Sequence, residues 1–194
     1  TARDLLARDP SSREFRLMLA HALALTGDLA ASIRESGILE KAAVGKPEFA
    51  LGLAALAMVQ ARYDAAAQHA GIAAANDPHS TAGHLALARA ELARGRFEEA
   101  AGHALDALEI TQAIPEAHHL LGAALAWYGD LPSAQQSIDT ALQYDPDARE
   151  SHRFAALLCA IANDHEGSAQ HRARAKELSA SDHYAASDPP FGPA

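Results

Sequence analysis

Small side chains recur at a spacing of 34 residues through most of this 194-residue chain. Because small residues let two helix backbones approach closely, this recurrence predicts helices packed as repeated pairs. Three columns of residues have this spacing, and the third contains a large residue at its first position only. The three columns are Ala20, Ala54, Ala88, Gly122 and Ala156; Ser32, Ala66, Ala100, Ala134 and Ser168; and Leu39, Ala73, Ala107, Ala141 and Ala175.

Another column with the same spacing indicates the turn between the two helices of each pair. Gly and Asn dominate it, and both tolerate the left-handed conformation that ends a helix. Residues typical of helix starts follow, namely Asp64 in one unit and Asp130 with Pro132 in another. Apolar residues make up 49% of the chain but aromatic residues only 5%, so Ala and Leu must build a helical core. The turn column is Gly27, Ala61, Gly95, Gly129 and Asn163.

The period and the columns resemble the tetratricopeptide repeat (TPR) family, whose 34-residue unit is a pair of helices. The resemblance implies an all-α fold, a right-handed superhelical solenoid of antiparallel helix pairs. We expect this solenoid over residues 1–182 and a Pro-rich tail over residues 183–194. A half unit comes first, and its helix has no preceding partner helix in the sequence. Five full units then start at Arg13, Pro47, Thr81, Pro115 and Arg149.

Composition and motifs argue against several classes of function. The net charge of −9 disfavours nucleic-acid binding, which needs a basic face. No apolar run is long enough to insert into a membrane, and no phosphate loop or nucleophile motif is present. We therefore expect no enzyme activity and no cofactor. Cys159 is the only cysteine, which favours a cytoplasmic location and leaves the periplasm open.

The histidine pattern predicts no metal site. His84, His118 and His152 form a column, but equivalent atoms of neighbouring units lie about 8–10 Å apart. Zinc holds its ligand atoms at about 2 Å, so one ion cannot join the column. His118 and His119 are neighbours on one helix and point about 100° apart. We interpret these side chains as structural or solvated.

In the family, the first helices of successive units line a concave groove that often binds peptides. The resemblance places a mainly apolar floor there, without the Lys and Asn that grip C-terminal carboxylates in some members. Such a floor suits a peptide or helix with apolar anchors. The chain's own tail, through Tyr184 and Phe191, and a neighbouring chain are candidate occupants. The expected groove residues are Leu17, His21, Leu51, Met58, Leu85, Arg89, Leu92 and His119.

Three functions follow from these observations. The favoured one is a non-catalytic protein-interaction module. The second is the accessory region of a larger bacterial enzyme, such as a sulfotransferase, glycosyltransferase or hydroxylase. The third is a self-assembling scaffold, in which the uncovered first helix stacks on another chain.

Overall fold

The computed structural model describes residues 2–42 and 47–187, and these ranges contain eleven α-helices and no strand. The all-α fold expected from the sequence is therefore confirmed. A short 3-10 helix, Pro47–Phe49, precedes the fourth α-helix. The α-helices are α1 (Ala2–Arg8), α2 (Arg13–Leu25), α3 (Leu29–Ala42), α4 (Ala50–Val59), α5 (Tyr63–Asn76), α6 (Thr81–Ala93), α7 (Phe97–Ile110), α8 (Pro115–Tyr128), α9 (Leu131–Tyr144), α10 (Arg149–Ile161) and α11 (His165–Ser187).

The helix boundaries follow the 34-residue register. Helices α2, α6, α8 and α10 begin at the predicted unit starts Arg13, Thr81, Pro115 and Arg149, and the 3-10 helix begins at Pro47. Each first helix packs against the second helix that follows it, which gives the pairs α2–α3, α4–α5, α6–α7, α8–α9 and α10–α11. The half unit supplies α1, which packs on α2 and contains no buried residue.

Contacts divide the chain into two compact units, residues 1–111 and residues 112–194. Unit 1 contains α1 to α7, and its core is assembled mainly from Ala and Leu, as the composition predicted. One cluster there consists of Ala20, Ala24 and Leu56. Unit 2 contains α8 to α11, and its core cluster is Ala134, Ile138, Ala155 and Leu158.

The columns of small residues are buried, and Gly122 shows why they must be small. A Cβ atom at this position would lie 2.8 Å from Cγ1 of Ile138 and 3.0 Å from the carbonyl oxygen of Ala134. Real Cβ atoms do not approach other atoms so closely, so helices α8 and α9 can pack this tightly only with glycine here. Leu39, the exception in the third column, is buried against Leu53.

The turn column adopts the left-handed conformation at every position. This confirms the interpretation of that column as the site where each first helix ends. Two of its members are not glycine, and for them the conformation is unfavourable. The φ angles are 87° at Gly27, 55° at Ala61, 75° at Gly95, 103° at Gly129 and 60° at Asn163.

The two predicted helix starts have different outcomes. Asp130 caps α9, because its carboxylate accepts a hydrogen bond from the backbone N–H of Ser133 at 3.2 Å. The prediction for Asp64 is wrong. Helix α5 already begins at Tyr63, so Asp64 lies inside the first turn, where its carboxylate instead pairs with Arg94 at 2.8 Å.

The last helix is longer than the sequence indicated. Helix α11 continues to Ser187, so it extends five residues into the segment that we expected to be a Pro-rich tail. The reason is local, because residues 182–187 contain neither Pro nor Gly and the first proline is Pro189. The proposed tail anchors, the side chain of Tyr184 and Phe191, lie outside the part of the chain that the structure describes. Within the two described ranges, no helix combines the length and apolarity needed to cross a membrane.

Candidate protein-interaction surface

The first helices of unit 1, α2, α4 and α6, pack side by side in chain order. Leu17 of α2 lies close to Gly52 of α4: a Cβ atom added to Gly52 would be 2.6 Å from Cδ2 of Leu17. The seven expected groove residues that lie on these helices form what we call the first-helix face. It consists of Leu17, His21, Leu51, Met58, Leu85, Arg89 and Leu92.

Every residue of the first-helix face retains contact with solvent. None belongs to the buried core of unit 1, although four of the seven are leucines. Leu51 is 36% exposed, and Arg89 is also exposed. The other members are half-buried. This surface therefore offers apolar area that a partner can remove from water.

Two residues of the face also hold the helices together. Leu17 packs against the buried cluster that contains Leu56, so it joins α2 to α4. Met58 packs against the cluster that contains Ala66 and Ala90, so it joins α4 to its neighbours. Substitution of either residue would disturb the fold as well as the surface. Leu51, Leu85 and Arg89 are better positions at which to test binding.

His119, the eighth predicted groove residue, lies in unit 2. Its Nδ1 atom is 3.1 Å from Oγ of Ser151, and its ring meets the Phe154 ring edge-on with centroids 5.9 Å apart. Burial lowers the pKa of His119 below its ordinary value, while the carboxylates of Glu150 and Glu116 act in the opposite direction. The imidazole is therefore neutral at pH 7 and can hydrogen-bond without carrying charge.

An open cavity of about 540 Å³ adjoins His119 at the N-terminal ends of α8 and α10. Ile114, Pro115 and Ala148 contribute apolar surface to it, and Ser151 contributes a hydroxyl. Such a cavity is large enough for one side chain of a bound segment. Sequence reasoning named His119 but gave no indication of this cavity.

Unit 2 also exposes aromatic residues that sequence reasoning did not select. Trp127 is the only tryptophan of the chain and is 65% exposed at the end of α8. Ile161 holds the equivalent position one unit later and is also exposed, as is Leu157 one turn before it on α10. Tryptophan is enriched among the residues that dominate binding energy at interfaces. Its rarity in an Ala-rich chain was the signal that could have identified it.

The column histidines share one hydrogen bond that fixes their ring orientation. In each, Nε2 donates to a backbone carbonyl six residues earlier in the chain. The atom pairs are His84 Nε2 to the oxygen of Pro78 at 3.1 Å, His118 Nε2 to that of Gln112 at 3.0 Å, and His152 Nε2 to that of Pro146 at 2.9 Å. This bond leaves Nδ1 of a neutral ring without a proton.

The structure also joins histidines that the sequence left apart. His84 of α6 lies beside His103 and Asp106 of α7, and one atom of each lies within 4.8 Å of the other two. His152 of α10 lies beside His171 of α11. In both pairs the second histidine follows the first by 19 residues. The 19-residue offset joins two different helices of one unit, whereas the expectation of no metal site rested on residues in one column or on one helix.

Cys159 has no features of a reactive thiol. Burial, followed by the nearby carboxylate of Asp164, raises the pKa of the Cys159 thiol. A raised pKa keeps the sulfur protonated and weakly nucleophilic at pH 7.

The sequence model of the tetratricopeptide repeat matches residues 51–118 and 128–183, which together exceed half of the chain. The chain belongs to the tetratricopeptide repeat family. This confirms the resemblance seen in the 34-residue columns. No curated protein matches the chain in sequence.

Solved structures of TPR proteins share the fold. TTC0263, a thermophilic TPR protein of Thermus thermophilus, has a TM-score of 0.74 at 21% identity, over 88% of this chain and 93% of that one. MamA of Desulfovibrio magneticus RS-1 has a TM-score of 0.64 at 16% identity, over 86% and 96%. YrrB, described as a TPR protein with an unusual peptide-binding site, has a TM-score of 0.58 at 15% identity, over 92% of each chain.

Proposed function

We propose that this TPR protein is a non-catalytic interaction module that binds a peptide or helix with two or more apolar anchors. One observation carries the proposal. The first-helix face keeps its four leucines outside the fully buried core, so each retains some contact with solvent. Apolar side chains that keep contact with solvent gain free energy when a partner covers them. That YrrB is described as having a peptide-binding site supports the same function.

The composition of the face indicates what the partner should look like. Each leucine-sized anchor that becomes buried contributes about 1.5–3 kcal/mol, so two or three anchors suffice for a moderate affinity. His21 and Arg89 provide polar groups that set direction and register more than affinity. The net charge of −9 disfavours a strongly acidic partner. A single carboxylate near Arg89 remains compatible with the face.

His119 is the candidate contact point of unit 2. Within unit 2 alone, its neutral ring and the adjoining cavity suit one side chain of a bound segment. The exposed side chains of Trp127, Leu157 and Ile161 provide additional apolar area in that unit. We assign this area to the same kind of partner because its chemistry is the same.

Peptide selection tests the proposal directly. A random peptide library displayed on phage is selected against the full chain, and affinities of the selected peptides are measured by calorimetry. Leu85→Glu places a charge on the half-buried centre of the first-helix face and should weaken binding at least ~30-fold, since one lost anchor costs about 2 kcal/mol. Leu105→Glu is the matched control, because this leucine is exposed on α7 of the same helix pair.

Circular dichroism separates loss of binding from loss of fold. Leu85→Glu should retain its helix content and lose binding, whereas Leu105→Glu should retain both. If Leu85→Glu unfolds, Arg89→Glu and Leu51→Glu test the same face at exposed positions. Normal binding by all folded variants of this face would reject the proposal, as would a selection that returns no apolar peptide.

A further inference from the structure

Three side chains on α6 and α7 place one potential ligand atom each within 4.8 Å of the other two. Oδ2 of Asp106 lies 3.3 Å from Nδ1 of His84 and 3.3 Å from Nδ1 of His103. The two imidazole rings are tilted at 40° with their centroids 6.0 Å apart. All three residues lie within unit 1, on the two helices of a single TPR unit.

The ring of His84 is held in one tautomer. Its Nε2 atom lies 3.1 Å from the carbonyl oxygen of Pro78, which can only accept, so Nε2 carries the proton. Nδ1 of the neutral ring then presents a lone pair. This nitrogen is buried, and within the described residues no group makes a hydrogen bond to it. Metal-binding histidines characteristically hold their second nitrogen in this way, donating to a backbone carbonyl.

The lone pair of His84 therefore faces a carboxylate that also only accepts. Two acceptor atoms at 3.3 Å repel unless a cation lies between them. A single proton can bridge Asp106 to one histidine at a time. A metal ion can take lone pairs from both histidines and from Asp106 together.

We infer that His84, His103 and Asp106 form a binding site for a divalent first-row transition-metal ion, with zinc as the best fit. Zinc takes imidazole nitrogen and carboxylate oxygen at about 2.0–2.1 Å, and tetrahedral angles then set neighbouring ligand atoms about 3.3 Å apart. The two Asp106 distances equal this separation. The mixed nitrogen and oxygen set is a poor choice for magnesium or calcium, which prefer oxygen ligands alone.

Exposure decides the character of the site. The His84 side chain is only 15% exposed and forms the inner wall, whereas the Asp106 side chain is 49% exposed at the outer edge. An ion can therefore enter from solvent without helix movement. Three protein ligands leave one tetrahedral position, which water or a group from a partner would fill. The bound ion would join α6 to α7 within one helix pair.

Metal titration of the full untagged chain tests this assignment. After removal of metals with a chelator, zinc binding is measured by calorimetry, and cobalt(II) serves as a spectroscopic probe of tetrahedral coordination. We expect one ion per chain, tetrahedral cobalt bands and a higher thermal midpoint with zinc. Asp106→Asn and His103→Ala should each weaken zinc binding at least ~100-fold, because each removes a direct ligand.

His171→Ala is the matched control, since it removes one histidine from the other cross-helix pair and leaves the proposed ligands intact. It should bind zinc like the wild type. The inference is overturned if the wild type binds no zinc at millimolar concentration. It is equally overturned if folded Asp106→Asn and His103→Ala variants bind as the wild type does, or if His171→Ala weakens binding as much as they do. None of these results bears on peptide binding by the first-helix face.

Discussion

His152 and His171 face each other across α10 and α11 with their Nδ1 atoms 2.9 Å apart. Because Nε2 of His152 donates to the carbonyl of Pro146, Nδ1 of the neutral His152 ring accepts, and the proton between the rings belongs to His171. A second proton would place two N–H groups head to head. Burial, and then the neighbouring His152, lowers the pKa of His171, while Asp139 and Asp164 act in the opposite direction.

Acidification should therefore destabilise unit 2 in a histidine-dependent way. When the pKa of a histidine is lower in the folded state than in the unfolded state, acid protonates the unfolded state first. Histidine in an unfolded chain has a pKa of about 6.5. The contribution of neutral His171 to the free energy of unfolding is complete above about pH 6.5 and declines as the pH falls toward the pKa of the folded state. We expect the thermal midpoint to decrease between about pH 7 and pH 5. His171→Gln should show a shallower decrease, and exposed His79→Gln should follow the wild type. Equal slopes for wild type and His171→Gln would contradict this expectation.

Ala61→Gly should stabilise the protein. Ala61 is exposed and has a φ of 55°, in the conformation that costs a non-glycine residue about 1–2 kcal/mol. Glycine relieves this cost but adds entropy to the unfolded chain, so the net gain should be about 0.5–1 kcal/mol. Urea denaturation measures it. The reciprocal variant Gly129→Ala, at a φ of 103°, should lose stability, and a loss in Ala61→Gly would show that the turn is not strained.

Two Gly→Ala variants should have opposite signs. Gly122→Ala forces a methyl group to within 2.8 Å of Ile138 and should cost about 1–3 kcal/mol. Gly102 lies within α7, where an added Cβ meets no described atom within 4 Å, so Gly102→Ala should gain about 0.5–1 kcal/mol from helix propensity alone. Denaturant midpoints of both variants provide the measurement. A neutral Gly122→Ala would mean that α8 and α9 can separate without cost.

Gln60→Ala should be strongly destabilising for an exchange at a loop position. Gln60 is buried, and its Nε2 donates to Oγ of Ser32 at 2.8 Å, while Ser32 donates to the carbonyl of Ala20 at 2.7 Å. Removal of a buried partner costs about 1–3 kcal/mol. Exposed Gln68→Ala in the same unit should change stability by less than about 0.5 kcal/mol. Similar unfolding free energies for both variants would refute the importance of this bond.

The sequence predicted features that repeat with the unit, because a repeat supplies several observations of one position. The left-handed turn at Ala61 could be assigned only because Gly27 and Gly95 hold the same place. Features that depend on one residue were less predictable. Asp64 is a residue type that often caps helices. Because α5 begins at Tyr63, Asp64 lies inside the helix and forms an ion pair with Arg94.

The candidate sites divide along a similar line. Groove positions such as Leu85 could be proposed from the family register, and their role in binding stays a prediction. Contacts between the two helices of a unit could not, since they depend on how far each helix is rotated about its axis. His84 and His103 are 19 residues apart, and only the packed helices show that their rings meet. The exposure of Trp127 likewise depends on where α8 ends.

The shared hydrogen bond of His84, His118 and His152 makes the units chemically interchangeable. Each ring is anchored in the same way, and Nδ1 of His84 and of His152 meets a side chain of the second helix, so the residues there determine the chemistry of the ring. In the unit of His118 these residues are Ser137 and Thr140, which occupy the places of His103 and Asp106. Ser137→His and Thr140→Asp would reproduce the arrangement of His84, His103 and Asp106 around His118. Two substitutions in a second helix would thus give a unit a new ligand preference without a change in its backbone.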